Sequence, residues 1–326
     1  MLKYIIKRLL LSILILLGVS LIIYALIRCM PVDFVTQKLT SITSTGAETS
    51  QELIDAMLEQ YGLKDNIIQG YLSWLKNLMN FEFGDSFSNQ RPVVDVIKDH
   101  MGVSFAIAAI ATVFEFLIAI PLGVTAATHQ YSIRDYVVTV LVMIGISLPS
   151  FFFAQMLKNI FAIQLGLFPA SGLIDATKNL TGFPLLLDQM WHLFIPILTM
   201  VILSIGGRMR MTRTNMLEVL NSDYIRTARA KGLKEKVVIY KHAFRNTMIP
   251  LVTSLAGLLP GLFSGAIIIE ELFGLDGIGR IAYAGMLSAD IPLIMGYNMF
   301  LALLSVIGVL LADLMYAVVD PRVKLS

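Results

Sequence analysis

The residues whose types and spacing point most clearly to a task lie in the polar segment 221–246, between two apolar runs. Ten Lys and Arg residues occur from Arg208 to Arg245, and small residues are interleaved among them in Thr227-Ala-Arg-Ala-Lys-Gly-Leu233. Small side chains, and glycine most of all, let the surface of another molecule approach the backbone closely. The pattern therefore favours docking of a partner protein.

The same segment also predicts its own shape. Ser222 or Asp223 can cap the start of a helix, because their side-chain oxygens accept from free backbone N–H groups. The alanines that follow favour the helix, and Gly232 suits the left-handed turn that ends one. A second basic helix is expected over 234–245, with an apolar side made of Val237, Val238, Tyr240 and Phe244. We predict a projecting knob whose contact residues are Tyr224, Arg226, Thr227, Ala228, Ala230, Lys231, Gly232 and Leu233.

Binding of the ten cations to anionic lipid headgroups is the alternative explanation of this segment. Basic residues beside a bilayer are attracted to the cytoplasmic leaflet and help to set the topology. That alternative explains the charge, but it gives no reason for an alanine-rich turn that ends in Gly232. We favour the docking interpretation.

Composition indicates that the segment belongs to a membrane protein. Hydrophobic residues make up 56% of the 326 residues and charged residues 15%, against about a quarter charged in ordinary soluble domains. One core cannot bury that much apolar surface, so lipid must cover part of it. We predict an all-α integral membrane protein with six transmembrane helices, over 9–27, 103–128, 136–165, 193–207, 248–269 and 292–319.

The placement of Lys and Arg predicts the orientation, since cytoplasmic loops carry an excess of both. Most of the 25 Lys and Arg residues fall in the termini and in the second and fourth connections, so both termini are expected in the cytoplasm. The first run exceeds the apolar core of about 7–15 residues in a signal peptide, which favours a retained helix. The expected divisions are a first helix over 1–30, an external subdomain over 31–100, a five-helix core over 101–319 that contains the loop 221–246, and a cytoplasmic tail over 320–326.

The segment 31–100 is too polar to span a bilayer and too long for a bare loop. One short helix is expected over 52–61, and a second apolar stripe is formed by Trp74, Leu75 and Leu78. This periodicity predicts a small helical subdomain outside the cell, with a disordered linker as the alternative.

A second group of candidate residues lies within and beside the apolar runs. Glu115 falls near the middle of the second run, and an ionisable group there is a functional-site hypothesis by default. Pairing with polar groups of another helix is the alternative. Pro149 should break or kink the third run, with Ser147 able to meet a freed carbonyl. The candidates for a pathway or gate are Glu115, Ser147, Pro149, Gly257, Gly261, Gly265, Glu270 and Glu271. The three glycines recur every four residues, which favours close helix packing. The lining of a pathway is the more specific, functional alternative.

Several functions are disfavoured by what the sequence lacks. It contains no G-x-x-x-x-G-K-[ST] loop, so this chain is not expected to cradle ATP phosphates. Cys29 is the single cysteine and the four histidines lie far apart, so neither a disulfide framework nor a metal site is expected. A membrane enzyme would need convergent His, Asp or Glu residues. A proton-coupled secondary transporter would show internal repeats around ionisable groups at the bilayer midplane.

The segment Asp223-Tyr-Ile-Arg-Thr-Ala-Arg-Ala-Lys-Gly-Leu233, followed by Lys241-His-Ala-Phe-Arg-Asn246 and Ile249-Pro250, closely resembles the coupling loop of ABC-importer permeases of the dipeptide/oligopeptide/nickel family. The resemblance spans the chain through Lys7-Arg-Leu-Leu, Gly18-Val-Ser, Leu148-Pro-Ser-Phe-Phe, Leu165-Gly-Leu-Phe-Pro-Ala-Ser-Gly172, Gly274-Leu-Asp-Gly-Ile-Gly-Arg280 and Asp320-Pro-Arg322. Arg226-Thr-Ala228 stands where the broader importer pattern reads Glu-Ala-Ala, as in the peptide branch. The long segment after the first helix resembles the B-type subunit of such pairs.

The resemblance implies a type I ABC-importer permease fold and a subunit that moves dipeptides, oligopeptides or a nickel chelate across a bacterial cell (inner) membrane. It implies no cofactor in this chain, because two cytoplasmic ATPase subunits would bind ATP and Mg²⁺. The other implied partners are a sister permease subunit, an external peptide-binding lipoprotein and the lipid bilayer, with no nucleic acid. The tip of the knob, 227–233, would transmit the movement of the ATPases to the spans. A stand-alone secondary transporter is the alternative outside the family.

Overall fold

The computed structural model describes residues 2–28, 66–80, 82–253 and 257–319, and every regular element in these ranges is helical. The helices are α1 (Leu2–Arg28), α2 (Ile67–Met79), α3 (Val93–Thr128), α4 (Ile133–Ser147), α5 (Ser150–Leu157), α6 (Phe183–Leu220) and α7 (Asp223–Ala230). They continue with α8 (Glu235–Val237), α9 (Arg245–Thr253), α10 (Leu258–Phe263), α11 (Ile267–Phe273), α12 (Ile278–Leu287) and α13 (Ile291–Val319). Two π-helical stretches, Lys158–Gln164 and Val238–Phe244, directly follow α5 and α8. The predicted all-α class is confirmed.

Three helices in the described part of the chain are each long and apolar enough to cross a membrane: α3, α6 and residues 291–313 of α13. Two further spans are reached only when a bent pair is counted as one, Ile133–Ser147 with Ser150–Gln164, and Leu258–Phe273 with Ile278–Leu287. α1 contributes a shorter apolar stretch, Leu10–Leu26. Each predicted run falls on helical structure, but six unbroken spanning helices are not matched one for one.

The third run is broken where Pro149 predicts it. α4 ends at Ser147, α5 begins at Ser150, and the two parts of the run are bent by 101°. Proline has no N–H with which to continue the helical ladder. Ser147 Oγ donates to the carbonyl of Met143 at 2.7 Å, whereas the carbonyl that an N–H at position 149 would have met is that of Gly145, four residues back. The predicted contact of Ser147 with a freed carbonyl stays a prediction.

The fourth and fifth runs differ from their predicted bounds. The fourth was expected over 193–207, whereas α6 has 38 residues and continues past the three arginines to Leu220. Hydropathy detects only the apolar part of such a helix. In the fifth, expected as one helix over 248–269, α10 and α11 are separate helices, and Gly265 between them has a left-handed φ of +74°. Apolar residues continue on both sides of that glycine, so periodicity alone cannot reveal the break.

The described contacts divide into two compact units. The first combines Met1–Gly102 with Gly277–Ile307, and the second combines Val103–Asp276 with Gly308–Lys324. The core of the first unit includes Tyr24, Trp74, Phe87, Ile291 and Met295, all nearly inaccessible to solvent. The predicted second apolar stripe, Trp74, Leu75 and Leu78, therefore lies on α2. The expected helix over 52–61 and the tail 320–326 lie outside the described residues.

A buried carboxylate stabilises the first unit. Asp290 is fully buried and accepts hydrogen bonds from Ser86 Oγ at 2.6 Å and from the backbone N–H groups of Phe87 and Ser88 at 3.1 and 2.9 Å. Its carboxylate also accepts from Leu293 N at 3.3 Å, in the first turn of α13. These bonds connect the segment before α3 to the start of α13, and they satisfy a charge that burial would otherwise penalise.

The second unit is held by α6 and the helices that contact it. An apolar cluster joins Phe153 and Leu157 of α5 to Ile195 of α6 and Phe273 of α11. Lys158 Nζ donates to the carbonyl of Leu272 at 2.6 Å, where α11 ends. A basic side chain at a helix C-terminus satisfies a free carbonyl there and favours the negative end of the helix dipole.

Glycine sets the distance between α3 and α6. A Cβ built on Gly123 would lie 2.7 Å from Thr212 Cβ and 2.8 Å from the carbonyl oxygen of Met209. Gly206 of α6 is similarly packed against Ile146 of α4. Small residues that allow close approach are typical of helix interfaces within membranes.

We expect Gly123→Val to lower the thermal unfolding midpoint of the purified chain in detergent, because the added carbons force α3 away from a backbone carbonyl. Overpacking of this kind costs about 1–3 kcal/mol. Gly102→Val is the matched control, since it is on the same helix and a Cβ there meets nothing within 4 Å. Equal midpoints for the two variants would contradict the close contact.

Candidate functional site

The knob is anchored by one face of α7. Ile225 is fully buried and Ala228 is 7% exposed. The two pack with Val124 and Ala127 of α3, Met216 of α6, Val238 and Ala243. Residues three apart lie on one helix face, so this pair faces inward. Ala228, which was expected among the contact residues, therefore has a packing role in this chain.

The other predicted contact residues lie at the surface of the knob: Tyr224, Arg226, Thr227, Ala230, Lys231, Gly232 and Leu233 are all exposed. Tyr224 and Leu233 are large apolar side chains that are 47% and 41% exposed. The knob thus presents cations, two apolar side chains and a glycine turn on one accessible surface, which suits a protein partner better than headgroups alone.

Gly232 has the left-handed conformation that the sequence predicts, with a φ of +74°. The N–H of Lys231 donates to the carbonyl of Thr227 at 3.1 Å, and the N–H of Gly232 donates to that of Arg229 at 2.9 Å. A Cβ on Gly232 would meet nothing within 4 Å, so glycine is required here by backbone conformation and not by space. The predicted cap at Ser222 is absent, because its hydroxyl donates to the carbonyl of Val219.

The second part of the knob departs from the predicted helix face. Val238 and Ala243 are fully buried, whereas Tyr240, expected on the apolar side, is 60% exposed. The reason is the π-helical stretch Val238–Phe244, in which hydrogen bonds join residues five apart and therefore bring positions i and i+5 to the same face. Periodicity of 3.6 predicts a different set of buried residues.

Two polar contacts hold the halves of the knob together. Arg229 donates to Glu235 from Nη2 at 2.8 Å and from Nε at 3.3 Å, across the turn at Gly232. Asn246 Nδ2 donates to the hydroxyl of Tyr224 at 3.1 Å. The hydrogen bond from Arg229 lowers the pKa of Glu235, burial opposes that shift, and the positive charge of Arg229 adds to it. The same bond raises the pKa of Arg229.

Glu115 is 8% exposed and forms an ion pair with an arginine of another helix. Arg208 Nε on α6 donates to Glu115 Oε1 at 3.1 Å, and its guanidinium lies 4.5 Å from the ring centre of Phe116. The alternative interpretation of Glu115, pairing with a polar group of another helix, is therefore correct. An ion pair at low exposure is costly to break, because each charge then loses its partner.

Glu115 also lines a cavity of about 160 Å³ between α3, α6 and α10. The polar side chains that line this cavity are those of Thr112, Glu115 and Ser204, and Gly257 and Gly261 line it with their backbone. A Cβ on either glycine would meet nothing within 4 Å. That open space favours a pathway lining over close helix packing within this chain.

The remaining candidates lie elsewhere. Glu270 is buried and accepts from Ser104 Oγ at 2.6 Å and from the backbone N–H of Ala266 at 3.0 Å, so it holds α11 against α3. Glu271 is exposed. Ser147, Pro149 and Gly265 are at the helix breaks described above, and none of them lines the Glu115 cavity.

Sequence reasoning missed the ionic contacts of α6. Arg213 donates to both carboxylate oxygens of Asp135 on α4, at 2.9 and 2.8 Å, and the Asp135 side chain is 5% exposed. The available signal was the presence of Glu115 near the middle of the second run and of Asp135 directly before the third, but no sequence pattern states which cation each one meets.

Long apolar helices and an exposed basic knob indicate a membrane protein, and comparison with known proteins shows its family. The sequence profile of the binding-protein-dependent transport system inner membrane component matches residues 119–325. The profile of the N-terminal part of the membrane components of such systems matches residues 1–108. The chain belongs to this family. It is a multi-pass, non-catalytic permease subunit that works with other subunits of an ABC importer.

Named relatives align with this chain over almost its full length. The oligopeptide transport system permease protein AppB of Bacillus subtilis (strain 168) is 35% identical over 325 residues, covering 99% of this chain and 100% of the relative. The dipeptide transport system permease protein DppB of Escherichia coli (strain K12) is 32% identical over 341 residues, covering 99% of each. The inward-facing MetNI methionine ABC transporter matches with a TM-score of 0.52 and 17% identity, over 70% of this chain and 97% of that one. This last likeness shows the type I importer permease fold alone.

We expect Glu115→Ala to lower the thermal unfolding midpoint strongly, because Arg208 then loses its ion pair with that carboxylate in a poorly hydrated place. Breaking a buried pair from one side costs about 3–5 kcal/mol. Glu218→Ala, an exposed position on α6, is the control. The double variant Glu115→Ala/Arg208→Ala should lose less than the two single losses added together. Strict additivity would show that the two residues are not coupled.

The Arg229–Glu235 pair predicts a pH dependence in the knob. The pKa of Glu235 is lowered on folding, so the pair stabilises the folded knob above the ordinary value of 4.5 and loses that contribution as the pH falls through the lowered pKa. Both side chains are about half exposed, so the gain is less than about 1 kcal/mol. Amide hydrogen exchange over 229–235 should be slower in the wild type than in Glu235→Gln at pH 7, and the difference should shrink as the pH is lowered below 4.5. A difference that does not change with pH would refute this.

Proposed function

We propose that this chain is one of two permease subunits of an ATP-driven importer that carries dipeptides or oligopeptides into the cell. The observation that carries the proposal is the exposed glycine-turn knob, on a chain that aligns over its full length with permeases named for oligopeptide and dipeptide transport. The proposed membrane is the bacterial cell (inner) membrane, with both termini and the knob in the cytoplasm, in keeping with the excess of Lys and Arg in those segments.

The knob is the proposed contact with two cytoplasmic ATPase subunits, which bind ATP and Mg²⁺, while this chain binds no cofactor. Its exposed residues from Tyr224 to Leu233 form the docking surface, and its buried face is joined to α3 and α6. Closure of the ATPases on ATP would move the knob, and the packed face would carry that movement into the spans. Such coupling needs only two arrangements of the bundle that the ATPases favour differently.

The cavity beside Glu115 is the proposed part of the pathway in this subunit. It lies between α3, α6 and α10, and the glycine edge of α10 is open there. A sister permease would supply the other half of the pathway, and an external peptide-binding lipoprotein would deliver the substrate. Glu271, which is exposed, remains a candidate for contact with that protein or with the ammonium group of a peptide.

A nickel chelate is the second candidate substrate, because the sequence resemblance includes nickel permeases. Relatives named for peptide transport favour peptide. A stand-alone secondary transporter is disfavoured, since members of this family work as components of multi-subunit systems. Uptake of a labelled tripeptide, with excess unlabelled peptide or nickel chelate as competitor, distinguishes the two substrates.

We expect Gly232→Val to reduce peptide uptake and co-purification of the ATPases, because a β-branched residue resists the left-handed backbone that the turn requires. That conformation costs about 1–2 kcal/mol for an L-residue. Gly232→Asn is the matched control, since asparagine adopts the left-handed region more readily. Normal uptake and normal co-purification in Gly232→Val would show that the docking assignment is wrong.

A further inference from the structure

α2 lies against the first predicted span at a depth that can be read from the sequence. The apolar run of α1 covers 9–27, which at 1.5 Å per residue is close to the thickness of the hydrocarbon layer. Leu17 lies about 12 Å from one end of that run and about 15 Å from the other. A group that contacts α1 beside Leu17 is therefore near the middle of the layer.

Tyr71 of α2 makes that contact. Its hydroxyl lies 2.9 Å from Ser20 Oγ and donates to the carbonyl of Leu17 at 3.3 Å. Ser20 is 1% exposed, and its own hydroxyl also donates to the Leu17 carbonyl at 2.8 Å. The two hydroxyls and the carbonyl of Leu17 lie within hydrogen-bond distance of one another, so each polar group has a protein partner, as polar groups in hydrocarbon require.

Aromatic packing continues the contact towards one end of the span. The ring of Tyr24 lies 5.6 Å from that of Tyr71 and 5.8 Å from that of Trp74. Tyr24 and Trp74 are both buried. Since Tyr24 is only three residues from the end of the apolar run, α2 contacts α1 from the middle of the hydrocarbon to its edge.

α2 has three distinct edges. The edge on α1 contains Gly70, Trp74 and Leu78. A second edge, about 140° around the helix, carries Ile68, Leu72 and Met79, which are 68%, 57% and 76% exposed. The third edge is polar and carries Gln69, Ser73 and Lys76, all exposed. A helix with separate apolar and polar edges is typical of one seated in a bilayer interface.

The apolar edge also has a neighbour of the same character. α1 exposes Leu10, Leu14, Ile22 and Leu26, each more than half accessible. Such side chains on a spanning helix face acyl chains. The apolar edge of α2 belongs to the same compact unit and lies on a helix that docks along the second half of α1, where Ile22 and Leu26 are exposed.

We propose that α2 is a membrane-embedded amphipathic helix, with Ile68, Leu72 and Met79 against lipid acyl chains and its polar edge turned away from them. This places residues 67–79 in the membrane, whereas the sequence alone placed them in an external subdomain. The proposal needs α1 to span the membrane, and it does not depend on the substrate.

Spin labels on single cysteines test this in the complete transporter, reconstituted in liposomes with Cys29→Ser as background. Labels on Ile68→Cys, Leu72→Cys and Met79→Cys should collide often with oxygen and rarely with water-soluble chromium oxalate. The lipid control is Leu14→Cys on α1. The water control is Ala176→Cys, in the exposed connection between Gln164 and Phe183. Because the label positions are exposed, the substitutions leave packed side chains unchanged.

Labels on Gln69→Cys and Ser73→Cys, one position along the helix from Ile68 and Leu72, should show a lower ratio of oxygen to chromium collisions. Two results would overturn the proposal. If the labels at 68, 72 and 79 behave like the Ala176 control, α2 lies in external water. If they are immobile and protected from both reagents, another protein subunit covers this edge.

Discussion

Two shielded ion pairs hold α6 in register with the helices beside it. Arg208 lies 3.1 Å from Glu115 on α3, and Arg213 donates to both carboxylate oxygens of Asp135 on α4. A charge without a partner is costly among membrane-spanning helices. The cost therefore favours the register of α6 in which both ion pairs form. The register of α6 then decides which of its residues face the cavity and where the helix ends, at Leu220.

α6 joins the two candidate sites without a flexible joint. About 24 Å of helix separates Ser204 at the cavity from Leu220, where the knob begins. The buried face of the knob packs on the same end of α6 and on α3 through Ile225 and Ala228. A displacement imposed on the knob is therefore carried along a stiff element to the cavity wall, which is the physical basis of coupling in the proposed function.

The sequence was most informative where a local rule decides the structure. Gly232 is left-handed and Pro149 separates two helices, because backbone conformation at glycine and proline depends little on distant residues. It was less informative where distant groups decide. Tyr240 is exposed because a π-helical stretch changes which residues share a face, and the fifth run is broken at Gly265 inside unchanged apolar composition. Ala228 could not be assigned to an inner face before the position of α3 was known.

Composition, cation placement and the motif around Gly232 by themselves determined a helical membrane protein with a projecting loop, since these depend on solvation and on local backbone preference. The tertiary structure alone decided which partner each charge has, that Glu115 is paired and yet lines a cavity, and that α2 docks beside the middle of α1. Those features arise from contacts between residues far apart in the chain. A carboxylate pairs with one particular arginine because helix packing brings the two together, and the sequence position of one residue does not predict the other.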